Sequence, residues 1–206
     1  MSIKFLYFDL GNVLLFFNHR LAAERLAKLA NVDAESVFET IFRGDVNARC
    51  DGGLLSGPEF CLWFRERYDC RASDEAIVAA SSDIFRVNPP MKAITSQLRA
   101  AGWRLGILSN TCDMHYDFFA SGRYTTIPDA FDAVVLSYKL RLMKPDAPIY
   151  LEAANTAGVA PEEVFYCDDV PANVDGAKAA GFDAVLFTSA AQYAADARSR
   201  GIGFNY

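Results

Sequence analysis

No stretch of this chain approaches the roughly 20 consecutive apolar residues that a membrane span requires. Residues 1–17 are the most hydrophobic opening segment, but Lys4 and Asp9 interrupt them and no small-residue cleavage site follows, so a signal peptide is not expected. Basic blocks are missing as well. Lys and Arg number 20 against 26 Asp and Glu, a net charge of −6, which argues against wrapping nucleic acid or an anionic membrane. The five cysteines (Cys50, Cys61, Cys70, Cys112, Cys167) are odd in number and lack metal-ligand spacing. They read as reduced thiols of a cytoplasmic protein. Internal repeats and low-complexity segments are absent.

What remains is ordinary globular material. Of 206 residues, 52% are apolar and 22% charged, enough for one core, or one core plus a small insert. Residues 3–9 form a short, nearly continuous apolar run ending in Asp9, the pattern of a strand buried on both faces of a parallel sheet. Four similar runs follow at 104–108, 133–136, 164–167 and 184–187. Helical patterns separate them at 90–101, 114–121, 147–157, 172–180 and 190–200, and Gly102, Gly158 and Gly181 stand where helices stop. Strand–helix alternation predicts a three-layer α/β sandwich with a parallel, Rossmann-like sheet.

Residues 17–88 have a different texture. They predict four helices, at 20–30, 34–43, 58–68 and 73–85, with no clear strand between them and with Pro58 suited to a first helical position. The chain therefore divides into a core of residues 1–16 and 89–206 and a helical cap of residues 17–88 inserted after the first strand. Such an insert would stand over the carboxyl ends of the strands, where open α/β sheets bind ligands.

The polar residues just past those strands carry the chemistry. Asp9 ends the first run, Ser109-Asn110-Thr111 the second and Asp168-Asp169 the fourth, while Lys144-Pro145 follows the third. In a parallel sheet all converge on one edge. Carboxylates offer Mg²⁺ hard oxygen ligands, a lysine and a hydroxyl neutralise and hydrogen-bond a phosphoryl group, and an aspartate nucleophile can form an acyl phosphate that water hydrolyses. Taken singly, each has a plainer reading: Asp9 as a turn cap, Ser109 as a helix starter, Lys144 as a surface cation, Asp168 and Asp169 as favourable charges at a helix N-terminus. Their order and placement together favour chemistry.

These residues resemble the four motifs of the haloacid dehalogenase-like hydrolase superfamily: Phe8-Asp9-Leu10-Gly11-Asn12-Val13, Leu108-Ser109-Asn110-Thr111, Lys144-Pro145-Asp146, and Asp168-Asp169 with Asn173. The resemblance spans essentially the whole chain, and within the superfamily it looks most like the capped bacterial phosphatases that act on α-D-glucose 1-phosphate. It implies Asp9 as the nucleophile that becomes phosphorylated, with Ser109 and Lys144 binding the phosphoryl group and Lys144 also orienting Asp9. It further implies Asp9, Asp169 and the Gly11 carbonyl around Mg²⁺, with Asp168 and Asn173 beside the ion, and Asn110 against phosphate or leaving group. The expected partner is a small phosphorylated metabolite, handled by a monomer or a homodimer.

One departure matters. Family phosphatases usually carry a second aspartate two residues after the nucleophile as general acid and base; here that residue is Gly11. General acid–base catalysis is worth roughly 10²–10⁴-fold, so its absence favours leaving groups that need a proton less, such as the anomeric oxygen of a sugar 1-phosphate. Arg141 also stands where relatives often have glycine. His19 is a candidate replacement acid or an ordinary hinge residue, and His115 sits in a predicted helix among aromatics. Phe16, Phe17, Phe38 and Phe42 read as cap core, one or two of them able to close over substrate. Arg43, Asp45 and Arg49, in a Gly-containing cap loop, are candidates for meeting sugar hydroxyls. Two alternatives remain: a metal-independent 2-haloacid dehalogenase, which also lacks the second acid, and a degenerate, non-catalytic relative that binds a phosphorylated ligand.

Overall fold

The computed structural model describes residues 2–121 and 131–205. Its centre is a parallel sheet built from β1 (Phe5–Phe8), β4 (Leu105–Ser109), β5 (Ala133–Leu136), β6 (Val164–Asp168) and β7 (Asp183–Leu186), in the order β5-β4-β1-β6-β7 among the described residues. The expected α/β sandwich is the observed one. Alternation along each strand feeds two separate cores. Leu6 and Phe8 of β1 join Phe165 and Cys167 of β6 in one cluster, while Phe5 and Tyr7 join Val164 and Tyr166 in the other. Two helices, α6 (Pro89–Ala100) and α11 (Ala190–Ser199), supply Met91, Ile94, Leu98, Tyr193 and Ala197 to the first cluster. The second is closed by α9 (Ala147–Ala157) and α10 (Pro171–Ala179) through Ile149, Tyr150, Ala153, Val174 and Ala177. Between α9 and β6 lies one 3₁₀ turn, Pro161–Glu163.

β1 is central, with β4 on one side and β6 on the other. Successive strands part there in opposite directions, and the loop after β1 opens into the crevice where such sheets bind ligands. That loop leads into β2 (Leu15–Phe16), which pairs antiparallel with β3 (Arg86–Val87). The Asn88 side chain donates to the Val13 carbonyl at 2.8 Å, tying the exit and return of the intervening segment together.

Between β2 and β3 run α1 (His19–Ala30), α2 (Ala34–Phe38), a π-helical turn (Glu39–Arg43), α3 (Val46–Asp51), α4 (Gly57–Tyr68) and α5 (Asp74–Ser82). Leu26, Val37, Ile41, Phe60, Phe64 and Ile77 bury themselves in a third cluster, which Cys112 and Met114 join from the far side. Caps explain the starts: Asn18 accepts from the Arg20 and Leu21 N–H groups, Asp33 from Ser36, and Ser56 pairs with Glu59 in a capping box followed by Pro58. Two short helices, α7 (Asp113–Ala120) and α8 (Ser137–Leu140), complete the order after β4 and β5.

The differences from expectation are local. The first strand stops at Phe8, one residue before Asp9. Residues 34–43 are not one uniform helix but α2 and the π turn. The stretch expected as a loop around Arg43, Asp45 and Arg49 holds α3, a six-residue helix too short for hydrophobic periodicity to register. β2 and β3, two residues each, escape detection for the same reason. Among the described residues no helix is long and apolar enough to cross a membrane.

Candidate active site

β1 delivers Asp9 at the sheet edge, its N–H donating to the Cys167 carbonyl at 3.0 Å. The chain then turns sharply: Leu14 and Leu15 N–H both donate to the Leu10 carbonyl, at 3.0 and 2.9 Å. Asn12 takes φ +54°, a left-handed conformation that asparagine tolerates better than most residues. Its side chain donates to Asp169 Oδ2 at 2.9 Å, so the turn after β1 and the end of β6 hold one another.

Lys144 is the hub. Its ammonium lies 2.8 Å from Asp9 Oδ1, 2.6 Å from Asp168 Oδ2, 2.9 Å from the Tyr166 hydroxyl and 3.1 Å from the Leu108 carbonyl. Asp168 is fully buried and saturated. Tyr166 Oη donates to Asp168 Oδ2, the Val170 N–H donates to Oδ1 at 2.8 Å, and the Asn173 amide reaches both oxygens at 3.1 Å. Burial opposes the charge on Lys144, but the Asp9 and Asp168 carboxylates outweigh it and hold its pKa above the ordinary lysine value. Burial raises the pKa of Asp9, and the lysine opposes that rise. Burial, with the nearby Asp168 and Asp9 charges, keeps the Tyr166 hydroxyl protonated and therefore a donor.

Asp9, Asp168 and Asp169 each place one oxygen within 4.8 Å of the others. Three hard carboxylate oxygens so gathered, in a site with one lysine to balance them, fit a Mg²⁺ ion. Asp168 has its oxygens engaged elsewhere, whereas half-buried Asp169 is steered by Asn12 through one oxygen.

Ser109 is buried at the end of β4, its hydroxyl making a single contact among the described residues, 3.3 Å to the next carbonyl. Asn110, expected against phosphate or leaving group, is engaged with the lysine loop. Its amide donates to the Lys144 carbonyl at 2.9 Å and accepts from the Lys144 N–H at 2.9 Å, so it clamps the lysine loop. Beside Ser109 opens a cavity of about 100 Å³ lined by Leu10, Gly11, Phe17, His19, Asn47, Asp51, Phe85, Ser109, Asn110, Thr111 and His115. It lies between the sheet edge and the helical segment. At Gly11 a Cβ would lie 2.8 Å from Phe17 Cε1, so a side chain there requires the phenyl ring to move.

The structure brings Asp9, Ser109, Asn110, Lys144, Asp168, Asp169 and the Gly11 turn together, as expected. It does not bring in the cap-loop trio or Arg141. Arg43 pairs with Glu39 at 2.7 Å on the surface, Arg49 lies 4.0 Å from Asp45, and Arg141 is exposed at the end of α8. His19 and His115 do line the cavity, but burial pushes both down to about 4, leaving them neutral at pH 7. Of the four candidate phenylalanines, Phe17 lines the cavity, while Phe38 and Phe42 pack on the helical cluster and Phe16 is exposed; Phe85 lines it as well. Sequence reasoning missed Tyr166, although its position two before Asp168 in a strand puts both on one side. It also missed Asp51 and Asn47, hidden in the unforeseen α3.

A family model for haloacid dehalogenase-like hydrolases matches residues 3–181. A phosphatase of Mycobacterium tuberculosis is 25% identical over 202 residues, covering 93% of this chain and 90% of that protein. A D-ribitol-5-phosphate phosphatase of Bacteroides thetaiotaomicron is 23% identical over 185 residues, covering 88% and 90%. Among solved structures, a haloacid dehalogenase-like enzyme of Bacteroides thetaiotaomicron in complex with magnesium and inorganic phosphate superposes with a TM-score of 0.78 at 26% identity, covering 91% of this chain and 95% of that one.

Proposed function

This chain belongs to the haloacid dehalogenase-like hydrolases, and from that premise we propose that it is a Mg²⁺-dependent phosphoric monoester hydrolase acting on a small phosphorylated metabolite. The observation that carries this reading is the buried Lys144 ammonium held between Asp9 and Asp168, with Asp169 completing a carboxylate cluster. Phosphatase relatives of similar length support it.

In this reading Asp9 attacks phosphorus, the ester oxygen leaves, and water then hydrolyses the aspartyl phosphate. Lys144 holds the Asp9 carboxylate in place and faces the transferring phosphoryl oxygens with a fixed positive charge. Asp168, Tyr166 and Asn173 keep that ammonium from moving, and Asn110 fixes its backbone. Ser109 Oγ donates to a phosphoryl oxygen. Asp9, Asp169 and the Gly11 carbonyl would hold Mg²⁺, with Asp168 beside it, and the ion would supply further neutralisation of phosphoryl charge. Residues 17–88 act as a cap whose α1 and α3 close the cavity over the leaving group and exclude bulk water.

The substrate class is a sugar phosphate or a molecule of that size, and a sugar 1-phosphate, with its readily departing anomeric oxygen, fits the absence of an acid at Gly11. A dehalogenase would have to bring a carboxylate substrate among Asp9, Asp168 and Asp169 with one lysine to offset them, which is electrostatically unfavourable. Phosphate release from a panel of sugar, nucleotide and aryl phosphates, with Mg²⁺ and with EDTA, tests the reading. Metal-dependent turnover is expected. Halide release from 2-chloroacids in EDTA, or Mg²⁺ binding without any turnover, would replace it with the dehalogenase or the binding protein.

A further inference from the structure

With Gly11 in place of the usual acid, a phosphatase must either restrict itself to activated esters or draw a proton from elsewhere. Among the described residues lining the cavity beside Gly11, one carries a carboxyl group, Asp51. Asp51 closes α3, on the cap side of the cavity, opposite the strand ends. Its main chain is fixed to the core: the Ser137 hydroxyl, which accepts from the Thr111 N–H at 2.9 Å, lies 2.5 Å from the Asp51 carbonyl as donor. Its carboxylate takes a 2.8 Å hydrogen bond from Asn47 one turn earlier. A surface acid needs neither constraint.

We propose that Asp51 is the general acid and base of this active site, supplied by the cap in place of the residue missing at position 11. The inference rests on the phosphatase reading and extends its substrates to unactivated alkyl phosphates, such as sugar phosphates esterified at an ordinary hydroxyl. In the first step the Asp51 carboxyl gives its proton to the ester oxygen as the P–O bond breaks and the Asp9–phosphorus bond forms. In the second, the Asp51 carboxylate takes a proton from the attacking water, the Asp9–phosphorus bond breaks, and inorganic phosphate leaves with Asp51 again protonated.

The surroundings suit both steps. Among the described residues, the groups around the carboxyl are the Asn47 amide and the Cys50 thiol on its own helix, Cys112 and His115 from the start of α7, and His19 from α1 across the cavity. All are neutral at pH 7: burial raises the Cys50 and Cys112 thiols and lowers both imidazoles. With no cation among these described groups to hold the charged form, burial pushes Asp51 up to about 7, so protonated and ionised forms coexist at neutral pH. His19 lacks that property. An imidazole that titrates near 4 carries no acidic proton at pH 7. Asp51, Cys112 and His115 also place one ligand atom each within 4.8 Å of one another. However, His115 hydrogen-bonds the Ser81 main chain and Asp51 is engaged by Asn47, a set directed at local partners rather than at a cation.

The test is single-turnover release of the leaving group by wild type and Asp51→Asn, with p-nitrophenyl phosphate and with the best alkyl phosphate from the sugar-phosphate panel. p-Nitrophenolate departs without a proton; an alkoxide does not. Asp51→Asn is expected to slow alkyl release by about 100-fold or more and aryl release by less than about threefold. Aspartyl phosphate then accumulates from the aryl ester because the base for its hydrolysis is gone. Asp51→Glu, which returns a carboxyl to the same helix end, is expected to exceed Asp51→Asn on the alkyl ester. Equal losses on both esters, no loss on either, an Asp51→Glu no better than Asp51→Asn, or a wild type that turns over aryl but no alkyl esters overturns the assignment. A wild type that releases nothing from any ester overturns the phosphatase reading itself, and the inference falls with it.

Discussion

Replacing Lys144 with methionine removes the ammonium that lies against Asp9 and Asp168, both of them buried. Methionine preserves most of the volume, so the effect is electrostatic rather than a cavity. Breaking a buried ion pair from one side costs about 3–5 kcal/mol, because the remaining charge stays buried and unpaired. Here two carboxylates are left against each other, and one of them escapes by binding a proton. The variant's folded state then holds more protons than its unfolded state, whose carboxyls titrate at ordinary values near 4. Since the slope of stability with pH follows the unfolded minus the folded proton count, stability falls as pH rises. The deficit relative to wild type should be about 3–5 kcal/mol at pH 8. It should narrow as pH drops while that proton binds, by up to roughly 1.4 kcal/mol per unit and by less where burial already protonates Asp9 in the wild type. Urea unfolding at pH 8 and at pH 6, in EDTA so that no cation substitutes for the lysine, measures both quantities. A deficit below about 1 kcal/mol, or one equal at the two pH values, would refute the view that Lys144 is the neutralising centre of a dry carboxylate cluster.

Three further outcomes follow from particular contacts. Tyr166→Phe removes the hydroxyl that donates to Asp168 and accepts from Lys144. It should cost about 1–3 kcal/mol in unfolding free energy and lower kcat more than it changes KM. Gly11→Asp alone should fail to raise turnover and should destabilise by about 1–3 kcal/mol, because its Cβ meets Phe17 at 2.8 Å. Combined with Phe17→Ala it should regain stability, which denaturant melts of the two variants compare. Gly176→Ala should displace the loop that carries Lys144, since a Cβ there would lie 2.3 Å from the Pro145 carbonyl oxygen. Loss of activity with secondary structure intact, followed by circular dichroism alongside phosphate release, is the expected result.

The core sheet is readable because both faces of its strands are buried: Phe5-Leu6-Tyr7-Phe8 and Val164-Phe165-Tyr166-Cys167 alternate between two clusters and so appear as unbroken apolar runs. The reactive set is readable because each member lies just past such a run, and parallel strands bring equivalent ends together. Other features depend on geometry that linear order does not carry. Asn110 stands beside Ser109 yet turns its amide to the Lys144 main chain, a pairing made by two loops 34 residues apart. Asp51 lies in a short helix whose place is set by Ser137 and by packing against α8 and the π turn, not by its own periodicity. The closure of position 11 by Phe17 is a matter of ring placement, which no spacing rule anticipates. The left-handed Asn12 shows the same limit, since its use in steering Asp169 emerges only when β1 and β6 lie side by side.

The central claim is that Asp9 becomes phosphorylated, and the most direct measurement is to quench turnover of an aryl phosphate with borohydride and map the protein by mass spectrometry. Reduction converts an acyl phosphate to the alcohol, so homoserine at position 9 is expected, formed with Mg²⁺ and absent in EDTA and in Asp9→Asn. Steady phosphate release with an unmodified Asp9, or a trapped phosphoryl group on another residue, would contradict the account.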